Sequence, residues 1–183
     1  MSYTTLAAVK SFGGWNHDND DELLSAILLS AKDFIDKYTG RVFDVSEETT
    51  RTYSRYRGAN RDRFNNTTLF LDMDLAEEAS AITDSPTVFY LPENETPKHA
   101  IVLTEGAWAY PQVAVTGYFG YSKTAPPAIE QACLRLCKWM YDMRDTTNGQ
   151  LLVVTPEGQV LLPQGIPQDV MILLASYVKV RVV

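Results

Sequence analysis

Two adjoining stretches decide the fold: Gln112-Val113-Ala114-Val115-Thr116-Gly117-Tyr118-Phe119, and then Pro126-Pro127-Ala128-Ile129-Glu130-Gln131-Ala132-Cys133-Leu134-Arg135-Leu136. In the first, Val113, Val115 and Phe119 share one side of an extended chain, which is a strand pattern. In the second, a proline opens a helix at the position where its missing N–H costs nothing. Ile129, Ala132, Cys133, Leu136, Cys137, Met140 and Met143 then form one stripe, and Leu134, Trp139 and Tyr141 widen it. A helix that apolar is expected to touch more than one neighbour, inside the subunit or across an interface.

Upstream of these stretches the same two periods recur. Thr5 can cap a short helix over Leu6 to Ser11, stopped by Gly13-Gly14. Asn19 with Glu22 three residues on resembles a capping box, with Asp20 and Asp21 suited to the positive end of the helix dipole. Leu23, Leu24, Ile27, Leu28, Ala31, Phe34, Ile35 and Tyr38 follow at helical spacing, and Gly40 is the stop. From Val42 to Tyr121 the period shortens towards two. Strands are expected over Thr49–Tyr53, Thr68–Leu71, Thr87–Leu91 and His99–Leu103, the last two joined by the loop from Pro92 to Pro97. Downstream, Leu151–Val154 and Gln159–Leu162 flank Thr155-Pro156-Glu157-Gly158 as a hairpin, and Val170–Leu174 reads as a short helix. Tyr177-Val178-Lys179-Val180-Arg181-Val182-Val183 alternates apolar and basic residues, a strand pattern that needs a partner to cover it.

The expected fold is therefore α+β and mainly helical: a small helical bundle, a β-rich insertion between the second and third helices, and a C-terminal hairpin with a tail strand. The expected body spans residues 1–148, with helices at 5–12, 20–39 and 127–145 and the insertion at 42–121. Residues 149–183 hold the hairpin, the short helix and the tail.

Composition narrows the function. The chain has 183 residues, of which 45% are hydrophobic and 21% charged, with a net charge of −7. That balance excludes disordered, collagenous and disulfide-stapled classes, and one domain is the default at this length. No apolar run approaches the roughly 20 residues of a membrane helix. Two cysteines argue for a reducing compartment, and Met1-Ser2-Tyr3-Thr4-Thr5 has no secretory pattern, so the chain is expected to work inside a cell. The glycosylation patterns at Asn66 and Asn94 then carry no weight. Charge is uneven: residues 51–65 carry 5 basic and 1 acidic group, and residues 66–110 carry 1 and 8.

The side chains offer little chemistry. His17 and His99 are isolated in sequence and read as surface or packing residues. Cys133 and Cys137 lie four apart on one helix face without the further ligands that zinc needs, and read as buried thiols. His17 to Glu22 lacks the central glycine and distant glutamate of a calcium loop. Asp72 and Asp74 flank Met73 with no phosphate-binding loop to serve, and read as turn or surface carboxylates. No cofactor or metal is expected, and no enzyme. Arg51, Arg55, Arg57, Arg61 and Arg63, interleaved with Tyr53, Tyr56 and Phe64, have the composition of nucleic-acid or protein contacts. A sequence pI near 4.8 is the wrong field for a dedicated DNA binder.

Val115 to Tyr121 followed by Ala125 to Leu136 resembles the head-tail connector (adaptor) proteins of tailed bacteriophages. Tyr3 to Lys10, Asp20 to Leu24, Ile35 to Arg41, Phe89 to Pro92 and Ala100 to Leu103 are similar to that family in the same order, so the resemblance spans most of residues 3–145. It implies a structural virion subunit in the neck at the portal vertex, with the host cytoplasm its place during assembly. Its implied partners are the portal protein, the stopper or tail-completion protein, and further copies of itself in a ring usually of twelve, with DNA passing through unbound and no membrane involved. Residues Tyr177 to Val183 become the implied portal-binding strand. Trp139, Tyr141 and Leu134 are candidate subunit contacts, a hypothesis from the width of their helix. The alternatives are another neck component, a stopper or tail-completion protein, or a DNA-binding accessory protein acting through Arg51–Arg63.

Overall fold

The structure, a computed structural model, describes residues 3–54, 64–65, 67–108, 111–144, 153–154, 160–161 and 165–179. In chain order the elements are α1 (Leu6–Gly13), α2 (Asp21–Thr39), β1 (Thr49–Ser54), β2 (Phe64–Asn65) and β3 (Thr68–Leu75). They continue with β4 (Ala81–Ile82), β5 (Val88–Leu91), β6 (Lys98–Leu103), β7 (Gln112–Gly117) and α3 (Pro127–Met143). The last are β8 (Val153–Val154), β9 (Val160–Leu161) and α4 (Gln168–Ala175). The chain divides into two compact units, one of Met1–Gly40 with Pro126–Val183 and one of Arg41–Ala125.

The first unit holds the four helices found among the described residues. Thr5 caps α1 by accepting the Ala8 N–H at 3.2 Å, and Gly14 closes it in the left-handed conformation, φ 74°. Gly40, φ 67°, closes α2 in the same way. α3 is the hub: it packs against α1, α2 and α4, so its wide apolar surface is used inside the unit. Its Ile129, Ala132, Cys133, Leu136 and Cys137 are fully buried, as are Leu24, Ala31 and Ile35 of α2 and Val170 and Leu174 of α4. β8 and β9 pair antiparallel as the expected hairpin, and the turn at 155–158 lies outside the described residues.

The expected capping box at Asn19 does not form. The residue before the first turn of α2 is Asp20, which makes no side-chain cap bond; its carboxylate instead accepts the Tyr141 hydroxyl of α3. A tertiary donor has won over the local ones.

The second unit, in its described residues, is all β. One sheet has the order β1-β7-β4 and the other β2-β3-β6-β5, both antiparallel. Tyr53, Val113 and Val115 of the first sheet join Leu69, Leu71, Tyr90, Ile101 and Leu103 of the second in one core with Trp108 and Phe119. Inward and outward residues alternate along β7, as its sequence predicts. The fold is α+β, and the expected helical majority is not confirmed, because the helices are confined to one unit. β3 also runs four residues past its expected end, to Leu75, through an irregularity in its pairing with β6.

The two ends of this unit are stapled to each other. The Tyr121 N–H reaches the Val42 carbonyl at 2.6 Å, and the Val45 N–H reaches the Ser122 carbonyl at 3.1 Å. Arg41 lies over the Tyr121 ring, 5.1 Å from its centre, and donates to Asp74 at 2.7 Å.

Candidate partner-binding surfaces

The arginine segment begins on β1, where Arg51 pairs across to Val115 of β7. Its guanidinium donates to Asp72 at 2.8 Å and to the Met73 sulfur at 3.0 Å, and stacks over the Phe119 ring at 5.1 Å. Tyr53 donates to the other Asp72 oxygen at 2.7 Å, and its hydroxyl pKa is pushed up, first by burial and then by that carboxylate. Arg51 is thus engaged in its own unit. Arg55, Arg57, Arg61 and Arg63 lie outside the described residues.

Asp72 and Asp74 sit within β3 rather than in a turn, and they part company there. Asp72 is exposed and shared by Arg51 and Tyr53, whereas Asp74 is buried and paired with Arg41. The sequence reading of both as turn or surface carboxylates is corrected for Asp74: a buried carboxylate persists because a guanidinium meets it. Among the described residues no three histidine, cysteine or acidic side chains gather as metal ligands.

Cys133 and Cys137 are both free and buried on α3. The Cys133 thiol is pushed up, first by its hydrogen bond to Cys137 and then by burial, away from the reactive thiolate. A thiol-reactive dye is expected to label neither cysteine in the native protein and both in guanidinium; fast native labelling would contradict this packing. His17 and His99 are exposed.

Of the three α3 residues expected to meet a neighbouring subunit, Leu134 and Tyr141 are covered within their own unit. Tyr141 packs on Trp15 with the rings tilted by 44° and their centres 4.1 Å apart, and Arg144 lies over its ring at 3.4 Å. Trp139 is half-buried.

The 177–183 segment does not begin as a strand. The Tyr177 and Val178 N–H groups turn back to the Leu174 and Ala175 carbonyls at the end of α4, and the Lys179 N–H bonds the Thr39 carbonyl at 2.8 Å. These three residues extend the helical unit, while Val180, Arg181, Val182 and Val183 lie outside the described residues.

One feature escaped the sequence. β5, Val88-Phe89-Tyr90-Leu91, is the outermost strand of its sheet, paired on one side to β6. Phe89 and, on β3, Phe70 stand exposed on the outer face of that sheet, opposite the core side of Tyr90 and Leu69. Edge position depends on which strands pair, and no local signal carries it.

Residues 3–66 match the family model described as phage gp6-like head-tail connector protein. No curated protein matches the chain. Among solved structures it is similar to a chain from the neck of an empty GTA particle computed with C6 symmetry, at 14% identity and a TM-score of 0.63, over 99% of this chain and 92% of that one. It is also similar to a chain from the neck of a native GTA particle computed with C12 symmetry, at 17% identity and a TM-score of 0.54, over 100% and 96%. At such identities the likeness is one of fold. The chain thus carries the pattern of a phage gp6-like head-tail connector over residues 3–66, the kind of protein the sequence resemblance pointed to, and shares a fold with two GTA-neck chains over nearly its whole length.

Proposed function

We propose that this chain is a structural subunit of a tailed-phage neck, an adaptor whose copies close into a ring around the DNA path. The ring adjoins the portal on one side and the stopper or tail-completion protein on the other. The observation that carries this reading is the fold shared, over nearly the full length of both partners, with subunits of GTA-particle necks that have C6 or C12 symmetry. Rings of that kind use heterologous contacts, in which one face of a subunit meets a different face of the next. A net charge of −7 suits a channel through which phosphate must slide.

Two features of the chain refine the reading. Arg51 is committed to Asp72, which weighs against a DNA-binding role built on that arginine. With Leu134 and Tyr141 covered, Trp139 is the α3 residue left for a neighbour, and Tyr177 to Lys179 brace the 177–183 segment for a partner outside the unit.

The test is capture by isolated portal protein from the same particle, beside retention on DNA-cellulose. The expected result is capture by the portal with no retention on DNA at physiological salt. Salt-dependent DNA retention without portal capture would favour the accessory DNA binder and overturn the adaptor.

A further inference from the structure

We propose that the outer face of the β2-β3-β6-β5 sheet is a contact between copies of this chain, and that its occupant is the arginine segment, residues 55–63, of a second copy. The inference rests on the reading of the chain as a ring subunit and gives that ring one of its head-to-tail contacts. It leaves residues 177–183 to the portal.

An antiparallel sheet with one side on a core normally turns polar residues to the other side. Here Leu69, Ile101 and Tyr90 face the core. The alternate residues form two rows across the outer side: Phe70, Ala100 and Leu91, then Thr68, Val102 and Phe89. Thr68 is the one polar side chain among the six. Phe70 and Phe89 are 44% and 38% exposed, while Ala100 and Val102 of the middle strand are buried. β5 at the edge of this face has four residues and no charge to guard it. A side so apolar is suited to being covered.

Charge selects the occupant. Glu93 and Glu95 follow β5 at the Leu91 end of the sheet, and both are exposed. The β unit's ion pairs among the described residues, Arg41–Asp74, Arg51–Asp72 and Lys123–Glu77, leave both out. The lysine nearest in sequence, Lys98, is buried and donates to the Pro92 and Glu93 carbonyls at 2.7 and 2.8 Å. A partner for this face therefore needs apolar or aromatic surface with cations at its rim. Arg55-Tyr56-Arg57-Gly58-Ala59-Asn60-Arg61-Asp62-Arg63 has that composition, four arginines against one aspartate. A guanidinium forks onto carboxylates and lays its flat side on aromatic rings, so it suits the glutamates and the phenylalanines alike.

Topology selects the copy that supplies the segment. The chain enters β2 at Phe64, opposite Leu69, from the side of the Phe70 row, which is the same end of the sheet as Glu93 and Glu95. β2 and β5 are the two edges, three strand spacings apart, about 14 Å. Nine extended residues span about 30 Å, so a loop held at Ser54 and Phe64 reaches out about half of that. Its own glutamates thus lie at the limit of its reach, whereas those of a neighbour whose β5 edge lies beside β2 are within easy range. A basic edge that meets the acidic edge of the next copy is a head-to-tail contact, which closes as a ring when the rotation permits.

The test is a charge swap in the full-length chain, read as rings on isolated portal by negative-stain electron microscopy. One variant carries Arg57→Glu with Arg61→Glu, and the other carries Glu93→Lys with Glu95→Lys. Each alone should form about tenfold fewer rings than the parent, because like charges then meet across the contact. The two variants mixed should recover the rings, since each meets its complement in the next copy. Recovery only when all four changes share one chain would place the contact within a copy, and rings undiminished in either variant would remove it. Both results overturn the proposal and spare the ring. If the parent forms no rings, the ring reading falls, and a dye-labelled peptide of residues 54–65 decides the contact by fluorescence anisotropy with the Arg57→Glu, Arg61→Glu protein. Saturable binding that Glu93→Lys with Glu95→Lys weakens about tenfold keeps the face as the segment's receiver. Absent binding, binding indifferent to that reversal, or a peptide held by DNA-cellulose alone overturns it.

Discussion

Replacing Arg41 by methionine is expected to destabilise the β unit by about 3 kcal/mol, the scale for breaking a buried ion pair from one side. The Asp74 side chain is only 5% exposed and Arg41 18%, with 2.7 Å between them. Methionine keeps much of the volume over the Tyr121 ring but leaves the carboxylate facing a thioether. Most of the cost is thus the stranded charge rather than lost packing. Arg41→Met combined with Asp74→Leu should recover most of the stability, since an apolar pair of similar size has no charge to bury. Urea unfolding of the two variants beside the parent checks this. Equal losses for the single and double variants would contradict it.

Gly120→Ala is the second large effect, again about 3 kcal/mol, at the upper end for forcing atoms into a filled site. An added Cβ would collide with the Val45 side chain and lie 2.9 Å from the Val42 carbonyl oxygen. The valine can turn aside, but the carbonyl cannot, because it accepts the Tyr121 N–H. The substitution therefore pries apart the entry and exit of the β unit. Thermal unfolding followed by circular dichroism should show a lowered midpoint, and Gly106→Ala makes a control, since its Cβ would meet open space and its cost comes from backbone conformation alone, φ 79°. A Gly120→Ala variant no less stable than that control would count against the staple.

These two positions fall in stretches that carry the sequence resemblance. Arg41 ends one family-like stretch and Gly120-Tyr121 ends another, and the structure brings them together as the closure of the β unit. Their chemistry is architectural. Nothing in either stretch alone reveals the other, because the contact spans some eighty residues of sequence.

What was legible in the sequence was local. The Thr5 cap, the glycine stops at Gly14 and Gly40, the proline opening α3 and the alternation of β7 each depend on neighbours within a turn or two. What misled was local chemistry overruled at a distance. Asp20 left its cap for Tyr141, and Asp74 was drawn into the interior by Arg41. The 177–179 residues look extended by alternation, yet α4 and Thr39 claim their amides. The two-residue strands β2 and β4 carry too little pattern to be read at all. The apolar width of α3 was legible, with its use left open between the subunit and an interface, and the unit's own side chains cover Leu134 and Tyr141.

The central claim is that copies of this chain close into a ring at a portal, and negative-stain electron microscopy of the purified protein mixed with isolated portal tests it most directly. The account predicts closed rings seated coaxially on the portal, with an open channel at the centre. Single subunits scattered among bare portals, or open filaments with no closure, would contradict it.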